Sequence, residues 1–275
     1  MARPVTVGSI ELHPVPDAVG VLGEYGELYP EVPTEAWEPY RELYPELFAD
    51  ESWRLPCACF QVRTEEMTVL VDTGVGPPGL WDWTAEDEGR LPEAIEALGV
   101  SRDDVDVVFL THLHIDRLGW NADLDGTPFF PRARYVVHRD AVAFALTQAG
   151  RPHIRRCVEP LVDRFEMVTD TFEPAQGVTG FVVPGHYPGH MGLRLTSGGE
   201  EAVLIADMAV HPALLAHPDW VYAADGDPAV CAASRRSLLP ELVDRGVLVA
   251  CGHYPGSGIG RVVTRDGLVV WEEAL

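Results

Sequence analysis

The sequence contains no lysine, and all 20 of its basic residues are arginine. Any chemistry that needs a lysine amine, whether a Schiff base or a phosphate-binding loop, is thereby excluded. Positive charge is scarce overall. Twenty arginines face 43 acidic residues, for a formal net charge of -23, so neither a nucleic-acid backbone nor an anionic membrane surface is an expected partner. Long apolar runs are missing too, none approaching the roughly 20 residues of a membrane-spanning helix. The five cysteines are odd in number and lack framework spacing. Cys57-Ala58-Cys59 does not have the two-residue gap of a redox or zinc pair. The opening "MARPVTVGSIELHPVPD" has no basic stretch followed by an apolar core, so a cytoplasmic location with reduced thiols is expected.

What is present is apolar enough to build a core: 275 residues, 47% of them hydrophobic, with no repeat, low-complexity tract or composition break. One domain over residues 1-275 is expected. Residues 21-56 are acidic and rich in aromatics and proline, and read as a loop and short-helix excursion. Such a stretch serves as a lid, a substrate wall, a homodimer contact through Trp37, Tyr40, Tyr44, Phe48 and Trp53, or a plain surface extension. Regular patterns follow. "ACFQVR" and "MTVLVD" read as strands, "LPEAIEALG" as a helix stopped by Gly99, and "VDVVFL" as a strand buried on both faces. "ARYVVH" and "AVLIAD" read as further strands, while "RDAVAFALTQAG" and "DPAVCAASRRSLLPELVDRG" read as helices, the latter with an internal Pro240. Asp266-Gly267 between two β-rich runs signals a terminal hairpin. Strands and helices mix throughout, which predicts layered α/β architecture.

The chemistry concentrates in "LTHLHIDRLGW", residues 110-120, where His112, His114 and Asp116 alternate. In extended backbone alternate side chains point the same way, so both imidazoles can face one point at a strand end. Zinc favours imidazole and carboxylate ligands and in catalytic sites keeps three of them plus a water. An isolated H-x-H is as readily two packed histidines. Three later segments, however, each offer a metal-capable residue just after a β-like run: His186 and His190 in "VVPGHYPGHMG", Asp207 in "AVLIADM", and His253 in "VLVACGHYPG".

Together "LVDTG" (70-74), "THLHIDRLGW" (111-120), "PGHYPGH" (184-190), "IAD" (205-207) and "GHYPG" (252-256) resemble the metallo-β-lactamase superfamily in order and spacing. The resemblance covers most of the chain but not the N-terminal excursion. It implies a four-layer αββα sandwich with a metal site at the rim of the two sheets. Carried over, it puts His112, His114 and His190 on a first metal and Asp116, Asp207 and His253 on a second, with Asp207 bridging. His186 is assigned to support, and Asp72 to orienting a ligand histidine.

Arg117 departs from the pattern, since most hydrolases of the superfamily have histidine there, and a guanidinium has no lone pair to give. Two outcomes stay open. Either two zinc ions are kept by the remaining ligands, or one ion is held tightly and the other weakly. Iron and manganese stay open as the metal. Arg117 itself faces substrate or forms a structural salt bridge. His211, Tyr187 and Tyr254 are candidates for substrate contact, each against a plain packing role, whereas His13, His138, His153 and His217 are read as structural and Cys251 as a buried thiol.

The activity implied is hydrolysis of an ester, lactone or related carbonyl substrate by a metal-bound hydroxide, with Asp116 and Asp207 anchoring the metals, on a small-molecule substrate. "HLHxDxxGW" and "HPxxxxxPDW" are flavours of the lactonase and esterase branch. Hydrolysis of a thioester or another biosynthetic intermediate, mononuclear iron oxygenation on the same scaffold, and a metal-poor binding protein are the alternatives. "GSGIG" at 256-260 lacks the G-x-G-x-x-G spacing of a dinucleotide site.

Overall fold

The computed structural model describes residues 4–80, 84–87 and 89–274. The first sheet is made of β1 (Val5–Val7), β2 (Ile10–Glu24), β3 (Phe48–Ala49), β4 (Ser52–Arg63), β5 (Thr68–Val71), β6 (Thr84–Asp87), β7 (Val107–Leu110), β8 (Arg134–His138) and β9 (Phe165–Val168). Its order is β1-β2-β4-β5-β7-β8-β9, with β3 on β4 and β6 on β2, and β5, β7, β8 and β9 run parallel. The second sheet runs in chain order: β10 (Phe172–Ala175), β11 (Val178–Val182), β12 (Met191–Ser197), β13 (Glu200–Leu204), β14 (Leu248–Ala250), β15 (Ile259–Arg265) and β16 (Leu268–Glu273). Its central pair, β13 and β14, is parallel.

Seven α-helices complete the described chain: α1 (Tyr25–Leu28), α2 (Glu38–Leu43), α3 (Leu91–Ala97), α4 (Arg139–Leu146), α5 (Pro152–Cys157), α6 (Ala213–Ala216) and α7 (Pro228–Asp244). Three hydrophobic layers hold the elements together, and β7 shows why. Val107 and Phe109 point into the layer between the sheets with Leu12, Val136, Leu193 and Leu204. Val108 and Leu110 point the other way, onto Leu91 and Ile95 of α3 and Ala141 and Val142 of α4. A strand sandwiched in this manner must be apolar at every position, which is the run visible in the sequence. On the far side of the second sheet, Val203 and Val249 pack against Leu214 of α6 and Leu242 of α7. The result is helix, sheet, sheet, helix. Pro240 lies inside α7 without ending it, and Asp266 and Gly267, both at positive φ, turn the terminal hairpin. No helix among the described residues is long and apolar enough to cross a membrane.

Tyr25, Tyr29, Trp37, Tyr40, Tyr44 and Leu47 are all buried, packed into the same core layer as α6 and α7, while Glu27, Glu31, Glu35, Glu38, Glu42 and Glu46 are exposed. The segment is amphipathic: its aromatic side packs into the core, and Leu22, Trp53 and Leu55 line a cavity.

Because β5 and β7 run parallel, and likewise β13 and β14, the loops that follow them gather at one rim of the sandwich. Backbone hydrogen bonds tie the two sheets together there: Met191 N donates to Thr111 O at 2.9 Å, and Ala58 N to Gly252 O at 3.0 Å.

A candidate metal centre

Beyond β7 the chain stays extended through His114, then tightens into a single 3-10 turn, Ile115–Arg117. Asp72, just past β5 and at a φ of 62°, accepts from the backbone N–H of Thr111 at 2.8 Å and from its hydroxyl at 2.9 Å. With that hydroxyl proton committed, the Thr111 oxygen, 3.0 Å from His112 Nδ1, accepts the imidazole N–H, so that Nε2 carries the free lone pair. Asp72 thus reaches His112 through Thr111.

His112 Nε2 lies 3.0 Å from His114 Nδ1, which lies 3.0 Å from His186 Nε2. Asp207 Oδ2 is 3.4 Å from His112 Nε2 and 3.3 Å from His186 Nε2. Four donor atoms within 4.8 Å of one another match the spacing of ligands around one zinc, since bonds of 2.0–2.1 Å put tetrahedral neighbours about 3.3 Å apart. Burial holds His112 well below the ordinary histidine range and His114 down to about 3. Both are therefore neutral and able to give a lone pair.

The cluster takes His186 where the family carry-over placed His190. Both ring nitrogens of His190 are committed elsewhere: Nδ1 donates to Val183 O at 2.8 Å, and Nε2 accepts the backbone N–H of Asp207 at 3.0 Å. In this arrangement His190 fixes the loop that carries Asp207. His186 turns Nδ1 to Asp225 Oδ1 at 2.9 Å and Nε2 into the cluster, and Asp225 is anchored in turn by Arg235 Nη2 at 2.7 Å. An imidazole backed by a carboxylate is the usual way to orient a metal ligand. Asp225 gives no spacing signal, and the sequence reading missed it.

The other predicted set, Asp116, Asp207 and His253, also comes together, but around a guanidinium. Arg117, 2% exposed, places Nη2 against Asp207 Oδ1 and 2.5 Å from His253 Nε2. Its Nε is 3.1 Å from Asp116 Oδ2, and its Nη1 3.8 Å from Asp72 Oδ2. His253 Nδ1 donates to Pro56 O at 2.8 Å, and its Nε2 faces Asp116 Oδ2 at 3.4 Å and Asp207 Oδ2 at 3.5 Å as well as the arginine. Burial works to raise the Asp116 carboxyl, and Arg117 and His253 more than reverse that, holding it below the usual range. Of the two sequence outcomes for Arg117, the structure shows the buried ion-pair network. Cys57, read from the sequence as without function, brings its thiol within 4.8 Å of the Asp116 and His253 donor atoms.

His211 faces away from this centre. It is fully buried, accepts from Ala213 N at 3.1 Å through Nδ1, lies 3.3 Å from the Tyr25 hydroxyl through Nε2, and is ringed by Trp37, Tyr40 and Trp53. Tyr254 is likewise in the core, against Trp271, and Tyr187 packs edge-on against His114 with ring centroids 4.8 Å apart. All three take the packing role. Tyr222, which the sequence did not single out, lines the cleft instead.

Above the donors opens a cavity of about 320 Å³. Its floor is His114, Asp116, His186, Asp207 and His253, and its walls include Leu22, Trp53, Leu55, Val75, Ile115 and Val210. Polar groups converge at the bottom of an apolar cleft, as in small-molecule sites generally.

The family model of the metallo-beta-lactamase superfamily matches residues 52–253. The chain belongs to this superfamily. Its four layers are the αββα sandwich of that fold, and among solved structures it superposes on AidC, a dizinc quorum-quenching lactonase solved with N-hexanoyl homoserine product, at a TM-score of 0.87 and 22% identity over 99% of this chain and 97% of that one. AbOPH, a hydrolase of the same superfamily, gives 0.83 and 22% over 98% and 95%. In sequence it is similar to the N-acyl homoserine lactonase of Bacillus thuringiensis, 28% identical over 165 residues, covering 55% of this chain and 62% of the relative. N-acyl homoserine lactonase AiiB of Agrobacterium fabrum is 27% identical over 186 residues, covering 58% and 64%. The match thus spans somewhat under two thirds of these curated relatives.

Proposed function

We propose that the protein is a zinc-dependent hydrolase that opens lactones or cleaves related esters bearing an apolar acyl group. One observation carries the reading: four donor atoms are spaced for a single ion, and three of the residues that supply them line an apolar cavity. The similarity to N-acyl homoserine lactonases supports the bond type.

His112, His114, His186 and Asp207 would hold the zinc. Bound there, zinc lowers the pKa of a water to about 7 and polarises a carbonyl oxygen. The chain supplies the rest. Asp116, kept ionised by Arg117, borders the cavity as an acceptor that aims a water by its proton. Tyr222 lines the same cavity, and burial raises its phenol, so it stays a donor for the developing oxyanion. Leu22, Trp53, Leu55 and Val210 remove the acyl chain from water, each buried methylene contributing about 0.8 kcal/mol. The water oxygen bonds to the carbonyl carbon, the ester C–O bond breaks, and the leaving oxygen takes up a proton as the alcohol.

The test is turnover of N-acyl homoserine lactones and aryl esters of graded chain length by protein loaded with zinc. Turnover that rises with acyl length and vanishes on chelation supports the proposal, whereas a loaded protein inert on lactones and esters alike refutes it.

A further inference from the structure

The second metal position offers one cation-shaped space, and that space is filled. Any ion shared by His253 Nε2 and Asp207 Oδ1 sits about 2.0–2.1 Å from both atoms. Arg117 Nη2 already lies 2.5 Å from the first and in contact with the second. Two cations cannot share that point.

The surroundings carry charge opposite to the guanidinium, although its Nε and the facing Asp116 Oδ2 form no hydrogen bond. Asp116, Asp207 and Asp72 offer three carboxylates around one permanent positive charge. The arginine backbone is pinned as well, its carbonyl accepting from Thr73 N at 2.8 Å and its N–H donating to His114 O at 3.0 Å. Gly252 leaves room for the side chain: a Cβ there would lie 2.8 Å from Arg117 Nη1 and 2.3 Å from Ala58 O.

Resting on the zinc reading of the His112, His114, His186 and Asp207 cluster, we infer that this enzyme holds one metal ion per chain and that the Arg117 guanidinium is its built-in second cation. The fixed charge replaces an exchangeable one. It neutralises Asp116 and the outer oxygen of Asp207, it cannot be removed by a chelator, and it leaves Asp207 Oδ2 to the single ion instead of bridging two.

The experiment counts metal and does not depend on turnover. Purified protein is exposed to excess zinc, desalted, and analysed by mass spectrometry for zinc per chain, alongside Arg117→His. The expected result is one ion in the wild type and two in the variant, because histidine returns a lone pair and vacates the guanidinium's place. Two ions in the wild type would overturn the inference and leave the hydrolase reading intact. One ion in both proteins would overturn the claim that Arg117 is what excludes the second. A wild type that retains none would refute the zinc reading and this inference with it. Cobalt loading adds an optical readout of the wild type alone. A near-ultraviolet thiolate-to-cobalt band would mean that Cys57, with Asp116 and His253, takes an ion beside the arginine, and would also overturn the inference, whereas a spectrum of nitrogen and oxygen ligands only is expected.

Discussion

The two halves of the centre share Asp207 and little else. On one side, three imidazoles turn ring nitrogens toward a common point, each backed by a group that holds its other nitrogen or its position: Thr111 for His112, Asp225 for His186, and Tyr187 packed on the His114 ring. On the other side, Asp116 and His253 turn equally good donors toward a guanidinium, with Asp116 Oδ2 paired to it by charge alone and forming no hydrogen bond. The difference teaches that ligand-type residues at family spacing do not by themselves define an ion site. What decides is whether a cation of the chain's own has reached the space.

The largest expected contrast is between the two histidines of one motif. His186→Ala should abolish zinc retention and lower kcat/KM by more than the roughly 10–100-fold that loss of a supporting residue costs. His190→Ala should keep the ion, weakened only through the Asp207 loop. Zinc content and kinetics of the pair measured together decide it, and equal losses would erase the distinction drawn between them.

Removing the charge on the other half comes next. Arg117→Met leaves two buried carboxylates uncompensated, a change that typically costs about 3–5 kcal/mol. Denaturant unfolding should show that loss in metal-free protein, and added zinc should recover it by entering the vacated place. A variant as stable as the wild type without metal would show that the guanidinium is not what neutralises the site.

Asp225→Asn tests the support behind His186. The expected loss in zinc affinity is about 10–100-fold, read by competition with a chromophoric chelator, with the fold unchanged.

The smallest effect lies outside both halves. Asp17, buried beneath the Val75 and Leu91 N–H groups at 2.6 and 2.8 Å, is raised by burial from 3.8 to about 6. Its folded value exceeds its unfolded one, so its contribution to stability is complete below about pH 4 and fades as pH rises through about 6. Stability of the wild type relative to Asp17→Asn should therefore fall between those limits, and a constant difference would contradict the raised value.

How much of this was legible in the sequence follows from which contacts are local. The strand Val107–Leu110 could be read from its unbroken apolar run, the terminal hairpin from Asp266-Gly267, and the His112 and His114 pair from alternation along one extended segment. His186 and His190 were assigned, to support and to the metal, from their motif alone, because they differ in partners far away in the chain, Asp225 for one and the Asp207 backbone for the other. The setting of Arg117 was hidden for the same reason, since its partners come from three separate loops. The aromatic excursion could not be resolved from composition. Its glutamates are what an average over residues 21-56 reports, while its buried side is set by the spacing of Tyr25, Tyr29, Trp37, Tyr40 and Tyr44.

Anomalous diffraction from zinc-loaded crystals at the zinc edge tests the central claim most directly. The account predicts a single strong peak enclosed by His112 Nε2, His114 Nδ1, His186 Nε2 and Asp207 Oδ2, with Arg117 still between Asp116 and His253. A peak between Asp116 and His253, or none within reach of the three imidazoles, would contradict it.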